Sequence, residues 1–277
     1  MNQTARPRTH PYSAAVPRGS DGVYASALRA LSEAGVPFLV GGAFALRHFC
    51  PVERPTKDLD LFVLERDVGP ALEALAGRGF ATSVPFPHWL AKAKWGADFV
   101  DVIFNSGNGL TPVDDAWFRH AEPSSLLGCE VWVCPPEEMI WSKAYVMERE
   151  RFDGADVAHL LRARAGRLDW GRLLRRFADH ATVLLSHLLL FRFVYPDHSR
   201  AVPDRLLEEL FARARREGRG CPDDDRLCRG TLLSREQYLQ DVAAGYRDGR
   251  LPPTGRMSPE DIAVWTNAIQ GRALTRA

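Results

Sequence analysis

The sequence is short of several things, and each shortage narrows the field. Net charge is only +1 over 277 residues. The molecule as a whole is therefore no trap for polyanions, and any grip on phosphate or nucleic acid must come from a local patch. The first twenty residues, MNQTARPRTHPYSAAVPRGS, lack the apolar stretch of a secretory signal. Rich in Pro, Arg and Ser, residues 1–20 read as a disordered leader. No apolar run is long enough to span a bilayer; the longest, residues 181–195, is broken by His187 and Arg192. No membrane partner is expected. Paired cysteines are missing too. Cys50, Cys129, Cys134, Cys221 and Cys228 are scattered and odd in number, which suggests reduced thiols and a cytoplasmic location. Cys221 and Cys228 have no C-x-x-C or His companion to mark a zinc site. There is no internal repeat.

What is present is an ordinary globular composition in two halves. Residues 23–35 carry apolar side chains at helical spacing, and VPFLVGG follows as a short buried strand ending on Gly41-Gly42. AFALRHF reads as a turn or two of helix. A polar loop with Pro51 and Pro55 leads into DLDLFVLE, a strand, and residues 65–80 form a second helix. ATSVPF, HWLAKAKW, ADFVDVIFN and CEVWVC are further strands. PPEEMIWSKAYVMERE opens with prolines in the first turn and acids just inside it, as a helix favours. From about Glu137 the pattern is helical. The expected fold is α+β: a mixed sheet with flanking helices over residues 21–135, then a helical region over residues 136–277 that binds the acceptor.

Two carboxylates lie inside the apolar strand, Asp58 and Asp60. Residues i and i+2 share a strand face, so these two point together while Leu59, Leu61 and Val63 point into the core. Like charges this close repel, and one pKa must rise unless a cation neutralises the pair. Magnesium does this directly, taking one or two carboxylates plus substrate phosphates. The plainer alternative is an edge strand with two surface acids. Two features favour the metal platform. Gly41-Gly42 between strand and helix lets backbone approach a phosphate next to helix N–H groups. Asp101 sits inside another apolar strand, where a lone charge is costly. Asp98 has the opposite parity and faces the other way.

A strand–GG–helix unit, a D-x-D sixteen residues later and a third buried Asp about forty beyond it resemble the nucleotidyltransferase superfamily typified by DNA polymerase beta. RPTKDLDLFV is similar to the R-x-T-x-D-φ-D-φ-φ (φ apolar) of its antibiotic nucleotidyltransferase and AbiE toxin-like branches. The resemblance covers about residues 36–161. It implies that Gly41 and Gly42 contact a nucleotide triphosphate, and that Asp58 and Asp60 hold Mg2+ or Mn2+. Asp101 then helps ligate a second ion and activates the acceptor hydroxyl. The implied reaction is in-line attack on the α-phosphate with loss of pyrophosphate. The acceptor stays open between a tRNA end, a protein hydroxyl and a small molecule. The toxin branch further implies a cognate antitoxin. A decayed fold that only binds, or serves as an antitoxin, is the alternative, though all three carboxylates are in place. A metal-dependent glycosyltransferase would need a nucleotide-sugar-binding unit that the 57 residues before Asp58 hardly accommodate.

Lysine is scarce: Lys57, Lys92, Lys94 and Lys143 are the complete set. Lys57 abuts the D-x-D. Lys143 lies on the helix where toxin-like relatives place a phosphate-binding lysine, ahead of ERERFDGADVAHLL, which resembles their R-x-K/R-D-φ-x-D-φ segment. Lys143, Lys57 and Thr56 are thus candidate nucleotide ligands, with Arg54 as a further phosphate or loop contact. Asp153 and Asp156 read as a helix cap and an ion pair with Arg149 or Arg151. His48 and His88 read as structural, and Trp89 and Trp95 as packing residues. The arginines of residues 162–176 read as a solvated helix face rather than an RNA contact.

Overall fold

The computed structural model describes residues 20–52, 56–217 and 226–274. Of the leader expected over residues 1–20, residues 1–19 lie outside the described residues, as do Arg54 and Cys221, while Ser20 opens the first helix. Helix α1 (Ser20–Glu33) leads to strand β1 (Leu39–Val40) and helix α2 (Gly42–Phe49). Strand β2 (Asp58–Phe62), helix α3 (Val68–Gly77) and the strands β3 (Ala81–Phe86), β4 (Leu90–Trp95) and β5 (Asp98–Ile103) come next. A short helix α4 (Asp115–Arg119) precedes the hairpin of β6 (Glu122–Leu126) and β7 (Cys129–Val133).

The seven strands form one mixed sheet in the order β3-β4-β5-β2-β1-β7-β6. The β2–β5 and β1–β7 pairs are parallel, and the others are antiparallel. Alternation assigns the faces. Leu59, Leu61, Ala91, Ala93, Val100 and Val102 are fully buried against α1 and α3 through Leu28, Leu31, Ala71 and Leu75. Burying that apolar set fixes the register, because a one-residue slip would turn every carboxylate into the core. The opposite face carries Asp58, Asp60 and Asp101, and farther along β2 the Phe62 ring stacks on Trp117 at 5.1 Å.

The remainder is mainly helical. Helix α5 (Pro136–Ala144) starts directly after the sheet, followed by α6 (Gly154–Arg164), α7 (Trp170–Phe177), α8 (Ala181–Val194) and α9 (Asp204–Glu217). Their apolar sides make a second core with α2 and α4, centred on Trp117, Ile140, Leu161, Phe177, Leu188 and Leu210. Beyond lie β8 (Leu227–Cys228), α10 (Leu239–Ala243), β9 (Arg247–Asp248) and α11 (Pro259–Leu274).

Four features depart from the sequence reading. Helix α5 stops at Ala144, and Met147 pairs with Phe152 across a tight turn. Strand β6 and helix α4 arise where no element was expected; β6 tolerates Pro123 because it is the sheet edge. The C-terminal part holds a two-stranded parallel ladder, β8–β9, as well as helices. The apolar stretch extends from Trp170 to Val194, 25 residues that by length and composition alone could cross a membrane. It breaks at Ala178 (φ 41°), however, and packs Leu173, Leu174, Phe177, Leu184, Leu188 and Phe191 into the protein.

Candidate active site

Strand register brings the acids together. β2 and β5 run parallel with Asp60 opposite Asp101, and β4 places Lys92 opposite Asp101 from the other side. Carboxylate oxygens of Asp58, Asp60 and Asp101 all lie within 4.8 Å of one another. Each is held differently. The Thr56 hydroxyl sits 2.7 Å from Asp58 Oδ1 and 2.9 Å from the Asp58 carbonyl oxygen, which fixes the strand entry. Lys92 Nζ donates to Asp101 Oδ1 at 2.6 Å. Asp60 feels the charges of both other carboxylates.

Electrostatics follow from that crowding. Burial, then the charges of Asp58 and Asp101, push the Asp60 pKa up to about 7, while Lys143 and Arg151 pull it down. Burial also raises Asp101, against the hydrogen bond and charge of Lys92. A divalent cation would relieve this repulsion. Three hard carboxylate oxygens at this spacing are a donor set that fits magnesium.

The glycine pair supplies the close approach. The Gly41 N–H donates to the Asp60 carbonyl at 2.9 Å, joining the start of α2 to β2. A Cβ on Gly42 would stand 1.7 Å from Asp60 Oδ2, and its φ of +54° is one that other residues rarely adopt. Glycine is required because the backbone runs directly over the Asp60 carboxylate.

Lys143 and Arg151 border the site from the helical side. Lys143 Nζ bonds Asp156 Oδ2 at 2.7 Å and Asp153 Oδ2 at 3.1 Å. Arg151 grips Asp153 with two bonds of 2.9 Å. Those bonds hold the Asp153 pKa down at about 2 in spite of its burial. Of the two arginines considered for Asp153, Arg151 is the partner; Arg149 pairs with Glu150 on the surface. Asp153 sits at the helix N-cap without a side-chain cap bond. Lys57 is exposed at the start of β2.

Other candidates lie elsewhere. His48 faces Glu122 at 3.5 Å, and His88 donates to the Gly107 carbonyl at 3.1 Å. Trp89 packs on Phe86 and Trp265, and Trp95 on Phe80. Of the six arginines of residues 162–176, Arg167 and Arg175 are exposed as a solvated face would be, but three are drawn into ion pairs. Arg164 pairs with Glu122 of β6, Arg172 with Glu137, and Arg176 with Asp114 and Glu138; of these acids Glu137 and Glu138, on α5, are buried. Lys92 is the site residue that sequence reasoning missed. The available signal was LAKAKW, whose lysines alternate with two core alanines.

No curated protein matches the chain. The antibiotic-resistance factor ANT(2″)-Ia shares 16% identity, covering 73% of this chain and 94% of its own, with a TM-score of 0.40. An antigenic nucleotidyltransferase-like protein from Paracoccidioides brasiliensis shares 14%, covering 67% and 93%, at a TM-score of 0.44. The lincosamide antibiotic adenylyltransferase LnuA, bound to lincomycin, shares 13%, covering 51% and 95%, at 0.38. A family model described as "uncharacterised nucleotidyltransferase" matches residues 24–192. The match takes in the glycine pair, all three aspartates, Lys143 and the helices through most of α8, and the chain belongs to that family of nucleotidyltransferases.

Proposed function

We propose that this protein transfers a nucleoside monophosphate from a nucleoside triphosphate to an acceptor hydroxyl, in a magnesium-dependent reaction that releases pyrophosphate. The observation that carries this reading is the convergence of Asp58, Asp60 and Asp101 within 4.8 Å on the sheet face beside Gly42. Asp58 and Asp60, with Asp101 beside them, are the residues that would hold magnesium. Bound there, the ion would supply positive charge, neutralising phosphate oxygens so that a nucleophile can approach and stabilising the leaving pyrophosphate.

The chain's own residues do the rest. Asp101, raised by burial yet steadied by Lys92, accepts the proton of the acceptor hydroxyl. The acceptor oxygen forms a bond to the α-phosphorus, and the bond from that phosphorus to the bridging oxygen breaks. The electron pair leaves with pyrophosphate. Gly41 and Gly42 leave room for phosphate at the start of α2, where backbone N–H groups point outward. Thr56 orients Asp58, and Lys57, Lys143 and Arg151 place positive charge around the triphosphate. With three of the six arginines of residues 162–176 engaged in ion pairs within the protein, a small-molecule or protein acceptor is favoured over RNA.

The test is incubation of the protein with each labelled nucleoside triphosphate, magnesium and fractionated cell extract, beside an Asp58→Ala, Asp60→Ala variant. Label should move to one fraction with the wild type alone. Transfer by the variant at the wild-type rate would end the proposal.

A further inference from the structure

We propose that the Lys92 ammonium takes the place of a second divalent ion, so that the nucleotide-free protein binds one ion, between Asp58 and Asp60. The inference rests on the metal platform proposed above and narrows its stoichiometry.

The register fixes Lys92. Lys92, Asp101 and Asp60 form one row across β4, β5 and β2, and so share a face. Ala91 and Ala93, fully buried on either side, prevent the strand from turning over. Lys92 Nζ lies over the Phe99 ring, 5.0 Å from its centroid, and meets Asp101 Oδ1 at 2.6 Å. An ion bound to Asp101 Oδ1 at about 2.1 Å would lie within about 5 Å of the ammonium. Two cations that close repel.

Charge balance points the same way. Lys143 and Arg151 spend their hydrogen bonds on Asp153 and Asp156, two cations against two anions. Asp58, Asp60 and Asp101 carry three negative charges when ionised, and Lys92 cancels one. The remainder equals one divalent ion.

Mn2+ titration of the nucleotide-free protein, with free Mn2+ followed by electron paramagnetic resonance, tests this without any catalytic readout. The wild type should bind one ion. Lys92→Met should bind a second, with at least tenfold tighter affinity than any second site in the wild type. Lys92→Arg, which keeps the charge, should behave as the wild type. Two equivalent ions in the wild type would overturn the inference even if Lys92→Met fails to fold. So would a Lys92→Met protein that binds ions as the wild type does. Either result leaves the metal platform intact. Loss of all Mn2+ binding in the wild type removes the platform and the inference together.

Discussion

At Asp60, burial and two neighbouring carboxylates act in one direction, and the consequence is a pH dependence of stability. Its folded pKa of about 7 lies above the ordinary 3.8. A raised carboxyl contributes stability that is fully present below about pH 4 and is lost as pH rises through about 7. Burial raises Asp101 and Glu138 too, so they act in the same direction and the metal-free protein should weaken as pH rises. Asp153 acts oppositely, its contribution fading only as pH falls toward about 2. The Asp60 share is isolated by Asp60→Asn. That variant should gain ~1–2 kcal/mol at pH 8 without divalent ions, and nothing at pH 4. Urea unfolding at both pH values checks it, and equal stability at pH 8 would sink the reading. Gly42→Ala belongs to the same scale. The added methyl collides with Asp60 Oδ2, so Mn2+ affinity and nucleotidyl transfer should both fall more than tenfold. These positions were legible in the sequence because strand parity alone pairs Asp58 with Asp60. Lys92 was not, since its partner follows from how β4 registers on β5, and nothing local specifies that.

Helix α5 and the turn into α6 are joined by one lysine. Lys143, on the last turn of α5, is only 15% exposed and holds Asp153 and Asp156, whose carboxylates are almost completely buried. Replacing it with Met takes the ammonium away from buried Asp156 and leaves Asp153 to Arg151. Breaking a buried pair from one side costs ~3 kcal/mol, so Lys143→Met should lower the unfolding free energy measured in urea by about that amount, and Lys143→Arg should recover most of it. A Met variant as stable as the wild type would mean that the lysine serves nucleotide alone. The elements themselves were legible wherever period and punctuation agreed: the glycine pair, the D-x-D strand, LAKAKW and the prolines opening α5. Strand β6 was hidden because EPSSL is polar and holds a proline, and only an edge position reconciles that with a strand. The early end of α5 was hidden as well. There the chain turns to pair Met147 with Phe152 and to deliver Arg151 to Asp153, contacts that local helix propensity does not encode.

Across the whole molecule, the chain's last described helix returns to the strands that carry the site. Trp265 of α11 meets Phe86, His88 and Trp89 at 4.9, 6.1 and 5.3 Å between ring centroids, with Arg235 over its face. Gly107 is pressed so close that a Cβ there would stand 2.5 Å from the indole. No local pattern announces a contact between residues this far apart in the chain. The tail, polar and split by Pro252 and Pro253, gave no sign of its docking partner. Its fully buried Arg250, doubly bonded to Asp248, shows that it is packed in its own right. The docking braces the β3–β4 hairpin, and β4 carries Lys92. Trp265→Ala should therefore cost ~2 kcal/mol, less than a fully buried Trp because this one is half-exposed. The loss should also spread along the hairpin. Amide exchange of β3 and β4 should speed up, and Mn2+ stoichiometry should begin to resemble that of Lys92→Met. Faster exchange confined to residues 256–274, with β4 unchanged, would mean that the tail rests on the sheet without bracing it.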